Sequence, residues 1–371
     1  MVIKCDYGVE KQPLSYPTDN LSPCGQGVAR FFHPIITYMK DNCMKKIVCF
    51  LFLWGLLSVR CLGGSEGDSL VVMFWNVENF FDYVDGGTGE SDKEFSSFGG
   101  RRWSKRKFYA KCDAIAKSIF WAGEECGRMP DAIGFAEVEN KGVLYKLLNS
   151  TLLRKYDYKI VHFDSGDRRG IDVALLYRES VFEKISVSLK VPQEDGNKIA
   201  TRDILQVCLK NRMGQKINLI VNHHPSKFGG AGASAARRDA AMLALRQMCD
   251  SLVAVGEPHI VAMGDFNDNP DGNQFNMLDG ILANMSDSLY AQGLGTIRYE
   301  GRWDLIDMFL VSPKLAEYSR MDILQIPFLM TYEKKYPGFK PLRTYSGPRY
   351  IGGVSDHCPI ILKISGFNIT R

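Results

Sequence analysis

What most constrains the fold is how seldom a helical pattern interrupts the succession of short apolar runs. Strand-like segments are read at Leu70–Trp75, Asp131–Val138, Tyr158–Phe163, Ile171–Tyr177, Phe182–Val191, Ile204–Leu209 and Ile217–Val221. Others are the run closing on Val261–Met263, then Met308–Val311 and Cys358–Ile364. Helical spacing is sustained in only three places. In Lys105–Glu125 it carries Phe108, Cys112, Ile115 and Ile119; the other two are Gly142–Leu153 and Ala235–Val253. A singly wound βαβ sheet needs a crossover between each pair of parallel strands, and this chain has too many strands per helix for that. The expectation is an α/β fold in four layers: two mixed β-sheets packed face to face, with helices outside. Met321–Lys340, with Lys334, Lys335 and Pro337, reads as a surface loop.

The chain has 371 residues, 45% hydrophobic and 24% charged, with a net charge of +4. That supports a large core and excludes a strongly basic global surface. The basic stretch Arg101–Lys111 reads as a solvated helix face that could also meet a polyanion. Met44-Lys45-Lys46, a short apolar run and the small residues Gly63 and Gly64 make residues 44–64 a signal peptide, so an exported (periplasmic or secreted) protein is expected. Cys61 raises lipid attachment, but Arg60 before it fits poorly, so simple export ranks above it. Met1–Cys43 reads as an upstream or disordered extension, and residues 65–371 as one domain. Half of the ten cysteines fall before residue 65; the rest are scattered without a C-x-x-C pair, which argues against a zinc site. A Cys112–Cys126 disulfide is conceivable after export.

The chemistry sits beside the apolar runs. Asn76 and Glu78 follow the first, and Glu137 ends the second. His223 and His224 close another, and VAMGDFNDNP delivers Asp265, Asn267 and Asp268 within four residues. Asp307 and the pair Asp356-His357 precede two more strands. In stacked sheets such positions can gather at one rim. Carboxylates, amides and imidazoles without thiolate suit Mg²⁺, Mn²⁺ or Ca²⁺. Asp307 or Asp356 can orient His357, and Asn76 and Asn267 can donate to phosphate oxygens. These are the parts for metal-assisted attack of water on a phosphoester.

The ordered segments FWNVEN, GFAEVEN, VNHHPSK, GDFND, RWDLIDMFLVS and VSDHCPI resemble the endonuclease/exonuclease/phosphatase superfamily, of deoxyribonuclease I-like fold, and specifically an exported bacterial member. The resemblance runs from about Leu70 to the C-terminus. It implies Glu137 as principal metal ligand, Asn76 in support of metal or phosphate, and Glu78 near the metal, although some relatives have Asp there. It implies Asp265 to orient or deprotonate the water, and Asn267 to hold the phosphate. It implies His357 as a catalytic imidazole partnered by Asp307, Asp356 beside the metal, and His223 near the leaving group.

Strand alternation sends His223 and His224 to opposite faces, and His223 is preferred. Asp268 reads as a turn residue, and Asp307 is preferred over Asp304. Asp172, inside an apolar strand, needs a partner, for which a catalytic His or Arg169 is expected. Arg168 and Arg169 are candidates to grip phosphate. The expected partner is nucleic acid or another phosphoester. No obligate protein partner is inferred, and a monomer is expected. The reading is an exported metal-dependent phosphodiesterase or nuclease. Its rivals are a phosphomonoesterase, a sphingomyelinase-like lipid phosphodiesterase with Phe328–Met330 as its exposed apolar loop, and a binding module that has lost catalysis.

Overall fold

The structure, a computed structural model, describes residues 69–87, 89–227 and 231–367. The N-terminal extension and signal-peptide readings fall outside the described residues. Twelve strands form two six-stranded sheets. The strands of the first sheet are β1 (Ser69–Phe80), β2 (Ala132–Val138), β3 (Tyr158–His162), β4 (Asp172–Arg178), β11 (Ser319–Ile323) and β12 (Ile360–Ser365). Those of the second are β5 (Phe182–Lys190), β6 (Ile204–Asn211), β7 (Lys216–His223), β8 (Ile260–Asp265), β9 (Ala283–Asn284) and β10 (Asp307–Val311). The orders are β11-β12-β1-β2-β4-β3 and β9-β10-β8-β7-β6-β5.

Each sheet has one parallel pair, β1 with β2 and β7 with β8; every other pairing in it is antiparallel. The long helices supply the two crossovers: α1 (Lys105–Cys126) joins β1 to β2, and α3 (Ala231–Ala254) joins β7 to β8. The remaining long helix, α2 (Lys141–Ser150), packs with α1 on the outer face of the first sheet.

Three apolar clusters separate the four layers. Phe108, Ile115 and Leu144 cover the outer face of the first sheet. Val72, Phe74, Val221, Met263 and Phe309 fill the space between the sheets. Leu245 of α3 packs in a third cluster with Ile220 and Ala262 of the second sheet. The sheets close tightly at Gly134, where a Cβ would stand 2.8 Å from Met263 Sδ and 3.1 Å from Phe74. Helix α1 starts at Ser104, whose side chain caps Lys107 N, and stops at Gly127 in the left-handed region (φ 71°).

Several expectations are corrected. Residues 321–340 are not one loop. They contribute the end of edge strand β11, a 3₁₀ turn (Pro327–Leu329) and a hairpin of Met330–Glu333 with Gly338–Pro341. Pairing across that hairpin depends on cross-strand neighbours that local composition does not encode. Phe328 is not a rim loop residue, because it packs against Trp121 and Lys117 of α1. Cys112 and Cys126 are both free and sit on one helix, where 14 residues separate them by about 21 Å. The helix expected from Ala235 begins at Ala231, and β1 runs on through Phe80.

The lead into β2 is held by a buried ion pair. Asp131 Oδ2 accepts from Val71 N at 3.0 Å, and Oδ1 lies 2.5 Å from Arg128 Nη2. Replacing Arg128 with Met strands that carboxylate and is expected to lower unfolding free energy by about 3 kcal/mol. Urea denaturation checks this, and a loss within error of zero would contradict it.

Candidate active site

Period-two alternation builds the rim. Val72 and Phe74 of β1 face the inter-sheet core, so Asn76 does too. The same parity carries Val221 to His223 on β7, Met263 to Asp265 on β8, and Phe309 back to Asp307 on β10. Register aligns the last three: Asp265 pairs with His223 on one side and with Asp307 on the other. One polar row therefore crosses the second sheet where the apolar core ends.

Asn76 Nδ2 donates across the sheets to Asp265 Oδ2 at 2.9 Å. His357 Nδ1 lies 2.8 Å from Asp307 Oδ2, and its Nε2 lies 3.9 Å from both Asp265 Oδ2 and Asp356 Oδ1. The segment before β12 is pinned to β1: Trp75 Nε1 donates to His357 O, and Ser355 Oγ donates to Asn76 O and accepts from His357 N.

Glu137 breaks the parity rule. It should share the outer face with Ile133 and Phe135. Instead the register shifts between Ala136 and Val138, and Glu137 sits at φ 63°. Such a bulge re-aims a side chain. Its Oε2 accepts from Asn79 N at 2.7 Å, and Arg169 lies 3.3–3.4 Å from its carboxylate. β1 has a matching irregularity, with Glu78 and Asn79 at φ 44° and 51°, and Asn267 adopts φ 52°. Backbone in the left-handed region at non-glycine residues collects at functional sites.

The remaining candidates are placed as follows. Both oxygens of Glu78 are engaged, Oε1 by Arg343 at 3.2 Å and Oε2 by Thr344 N at 2.8 Å. Asp356 is half-buried and lies 3.1 Å from Arg343. Asn267 Nδ2 donates to His224 O, leaving one amide hydrogen for another acceptor. His223 Nε2 is 3.6 Å from Asp265 Oδ2. His224 lies on the opposite face, edge-on to Phe266. Asp304 accepts from Asn269, and Asp268 pairs with Lys227. Arg168 is exposed, whereas Arg169 reaches Glu137 and Asn79. The expected partner of Asp172 is corrected: it lies against His162 and Ser165, because strand parity puts it with Ala174 and Leu176 on the outer face of the first sheet, beside His162 of β3.

Sequence reasoning missed Arg343, Thr344 and Lys111. Lys111 is buried, and its Nζ donates to Glu78 O and to Thr344 Oγ1. Its spacing from Phe108, Cys112 and Ile115 was the available signal, since that spacing places it on the apolar face of α1.

These contacts set the charge states. Burial works against a charged His357, but Asp307, then Asp265 and Asp356, outweigh it and hold the imidazole well above its ordinary value. Burial, joined by Asp307 and opposed by His357, pushes Asp265 up to about 7. Burial raises Glu137, but Arg169 and the Asn79 amide outweigh it and hold it below the usual carboxylate range. Burial pulls Lys111 down to about 8 despite Glu78 and Glu137. Burial, then Arg202, depresses His223, and burial with Arg202 and Arg238 pushes His224 down to about 3.

A fully buried neutral histidine gains its proton on unfolding. With an ordinary value of 6.5 and a folded one of about 3, His224 contributes stability that is complete above pH 6.5 and drains away as pH falls toward 3. The urea midpoint is expected to drop between about pH 7 and pH 4, and more shallowly in His224→Gln; equal slopes would contradict the assignment.

A divalent cation fits this donor set. Asp265 and Asp307 are buried and bring carboxylate oxygens within 4.8 Å of one another, and Asp307 Oδ1 has no hydrogen-bond partner; His357, held charged, sits beside them but is not itself a ligand. Glu137 and Asp356 add carboxylates close by, and oxygen-rich sites favour Mg²⁺, Mn²⁺ or Ca²⁺.

A family model described as Endonuclease/Exonuclease/phosphatase family matches residues 71–366. Among solved structures, the fold is similar to the human Nocturnin catalytic domain with bound sulfate anion, at 16% identity and TM-score 0.52, covering 80% of this chain and 94% of that one. It is also similar to an endonuclease/exonuclease/phosphatase family protein from Bacteroides thetaiotaomicron (16% identity, TM-score 0.51, 80% and 97% covered). A third is an endonuclease/exonuclease/phosphatase from Bacteroides vulgatus (14% identity, TM-score 0.51, 80% and 98% covered). No curated protein sequence matches the chain.

Proposed function

We propose that the chain, which belongs to the endonuclease/exonuclease/phosphatase family of phosphoester hydrolases, is a divalent-metal-dependent phosphodiesterase acting on nucleic acid. The observation that carries this reading is the buried chain Asp307–His357–Asp265–Asn76, with Arg169 and Arg343 flanking it. Glu137 would be the principal holder of the metal, with Asn76 in support and Asp356 beside it. Such an ion, when bound, polarises the phosphoryl group and offsets charge developing on its oxygens.

The protein groups do the rest. Asp265, poised near neutrality, accepts the proton of the attacking water. Asp307 keeps His357 charged, so its Nε2–H faces the developing negative charge. The free amide hydrogen of Asn267 and the Arg343 guanidinium can hold phosphate oxygens. His223 stays neutral and can donate from Nε2 near the leaving group.

A cavity of about 240 Å³ adjoins Glu78 and is lined by Arg101, Arg343, Phe95 and Tyr345. A mixed cationic and aromatic wall suits a nucleic-acid strand. One observation favours a phospholipid headgroup as a second reading: Phe98, on the segment carrying Arg101, is 93% exposed. Export belongs to the same proposal and is supported by the Lys45-Lys46 start and the apolar run after it.

The test incubates the full-length protein with plasmid DNA, RNA, sphingomyelin vesicles and a chromogenic phosphodiester, each with Mg²⁺, Mn²⁺ or EDTA. Cleavage of the nucleic acids and of the chromogenic ester, abolished by EDTA, is expected. Turnover of sphingomyelin alone would replace the nucleic-acid reading with the lipid one. Inactivity on all four with either metal would overturn the proposal.

A further inference from the structure

Outside the active site, the neighbourhood of β3 and β4 holds a second convergence of metal-ligating atoms. His162 at the end of β3, Asp164 just beyond it and Asp172 at the start of β4 present ligand atoms within 4.8 Å of one another. The His162 side chain is only 3% exposed, and its Nε2 makes no hydrogen bond. That nitrogen points at Asp172 Oδ2 from 3.5 Å, too long for a well-formed hydrogen bond. Asp172 Oδ1 is occupied by Ser165, through both its backbone N and its Oγ, so Oδ2 is the oxygen that faces His162 Nε2. A buried imidazole nitrogen without a partner is costly, and it is the kind of atom an ion satisfies.

Among the carboxylates around the cluster, Asp167 is paired with Arg202, whose Nη1 lies 3.0 Å from its Oδ2. A cavity of about 290 Å³ beside the cluster is lined by the carboxylates of Asp92, Glu139, Asp164, Asp167 and Asp172, and no Lys or Arg lines it among the described residues. Burial, and to a lesser extent Asp82 and Asp92, pushes Glu139 up to about 8.

We propose that His162, Asp164 and Asp172 form a second metal site, for a divalent transition-metal ion of the Zn²⁺ class. An imidazole nitrogen with two carboxylates is a donor set Zn²⁺ accepts and Mg²⁺ does not favour. Three protein ligands leave positions open for water from the acidic cavity. Two ligands on a tetrahedral Zn²⁺ stand about 3.4 Å apart; His162 Nε2 and Asp172 Oδ2 are already 3.5 Å apart, so the closure falls mainly on the exposed Asp164. Asp164, on the loop between β3 and β4, and Asp172 on β4 bracket residues 165–171, the segment that carries Arg169 to Glu137. An ion here would tie both ends of that segment together, a structural role separate from the chemistry at the rim.

The experiment counts ions on the full-length protein, stripped with chelator and dialysed against micromolar free Zn²⁺, by emission spectrometry. Wild type is expected to hold one Zn²⁺ per chain more than Asp164→Asn. Asp164 is exposed, so that variant should keep the wild-type circular dichroism spectrum. His162→Gln should lose the same equivalent. Glu137→Gln should still hold one more than the double variant Glu137→Gln/Asp164→Asn, which separates this ion from any held at the active site. Equal stoichiometry in wild type, Asp164→Asn and His162→Gln would overturn the site. Displacement of the Asp164-dependent equivalent by millimolar Mg²⁺ would overturn its assignment to the Zn²⁺ class.

Discussion

Replacing His357 with alanine is expected to lower kcat on a phosphodiester by roughly 10³-fold, within the range for removing a positioned proton-transfer group. The imidazole is fixed from three sides. Asp307 holds Nδ1, Trp75 holds the backbone carbonyl, and Ser355 holds the backbone amide. Little of that framework depends on the ring itself, so circular dichroism and KM should change far less than kcat. Asp307 also fixes which nitrogen faces the substrate, so Asp307→Asn should lose nearly as much rate with the imidazole still in place. If His357→Ala kept full activity, the site would be wrongly assigned.

Asp265→Asn should be as damaging to rate, by about 10²–10⁴-fold, and it separates activity from stability. The substitution preserves shape but removes a charge that is buried and faces a second carboxylate, Asp307. Asn cannot take the water's proton, yet it relieves the cost of burying that charge. Turnover is therefore expected to collapse while the thermal midpoint holds or rises, the trade-off usual at strained sites. In wild type, kcat/KM should fall as pH drops through about 7, where Asp265 gains its proton; the Asn variant should lose that limb. A variant that loses both fold and rate would point to a structural role instead.

What the sequence made legible follows from parity. A run such as Val261–Met263 ending at Asp265 announces both a strand and the face its last residue shares, and Asn76 and His223 obey the same rule. The two mixed sheets with helices outside followed from the scarcity of helical patterns. Glu137 was legible by motif but not by geometry, because one left-handed residue at a bulge reverses its face, and nothing in local composition dictates that conformation. Arg343 and Thr344 come from a Gly-rich stretch with no apolar period, so their closeness to Glu78 is a tertiary fact. Lys111 was hidden by its neighbours. Five other basic residues within Arg101–Lys111 suggested a solvated face, while its phase on the helix pointed inward.

The tie between Trp75 and the carbonyl of His357 spans 282 positions of sequence. The first strand and the approach to the last thus share one site, which does not exist until β12 has docked beside β1. Any product truncated before Ser355 would lack the imidazole, Asp356 and the hydroxyl that locks them to β1. The completeness of the site is therefore fixed by one pairing, that of β12 with β1, between strands from opposite ends of the fold.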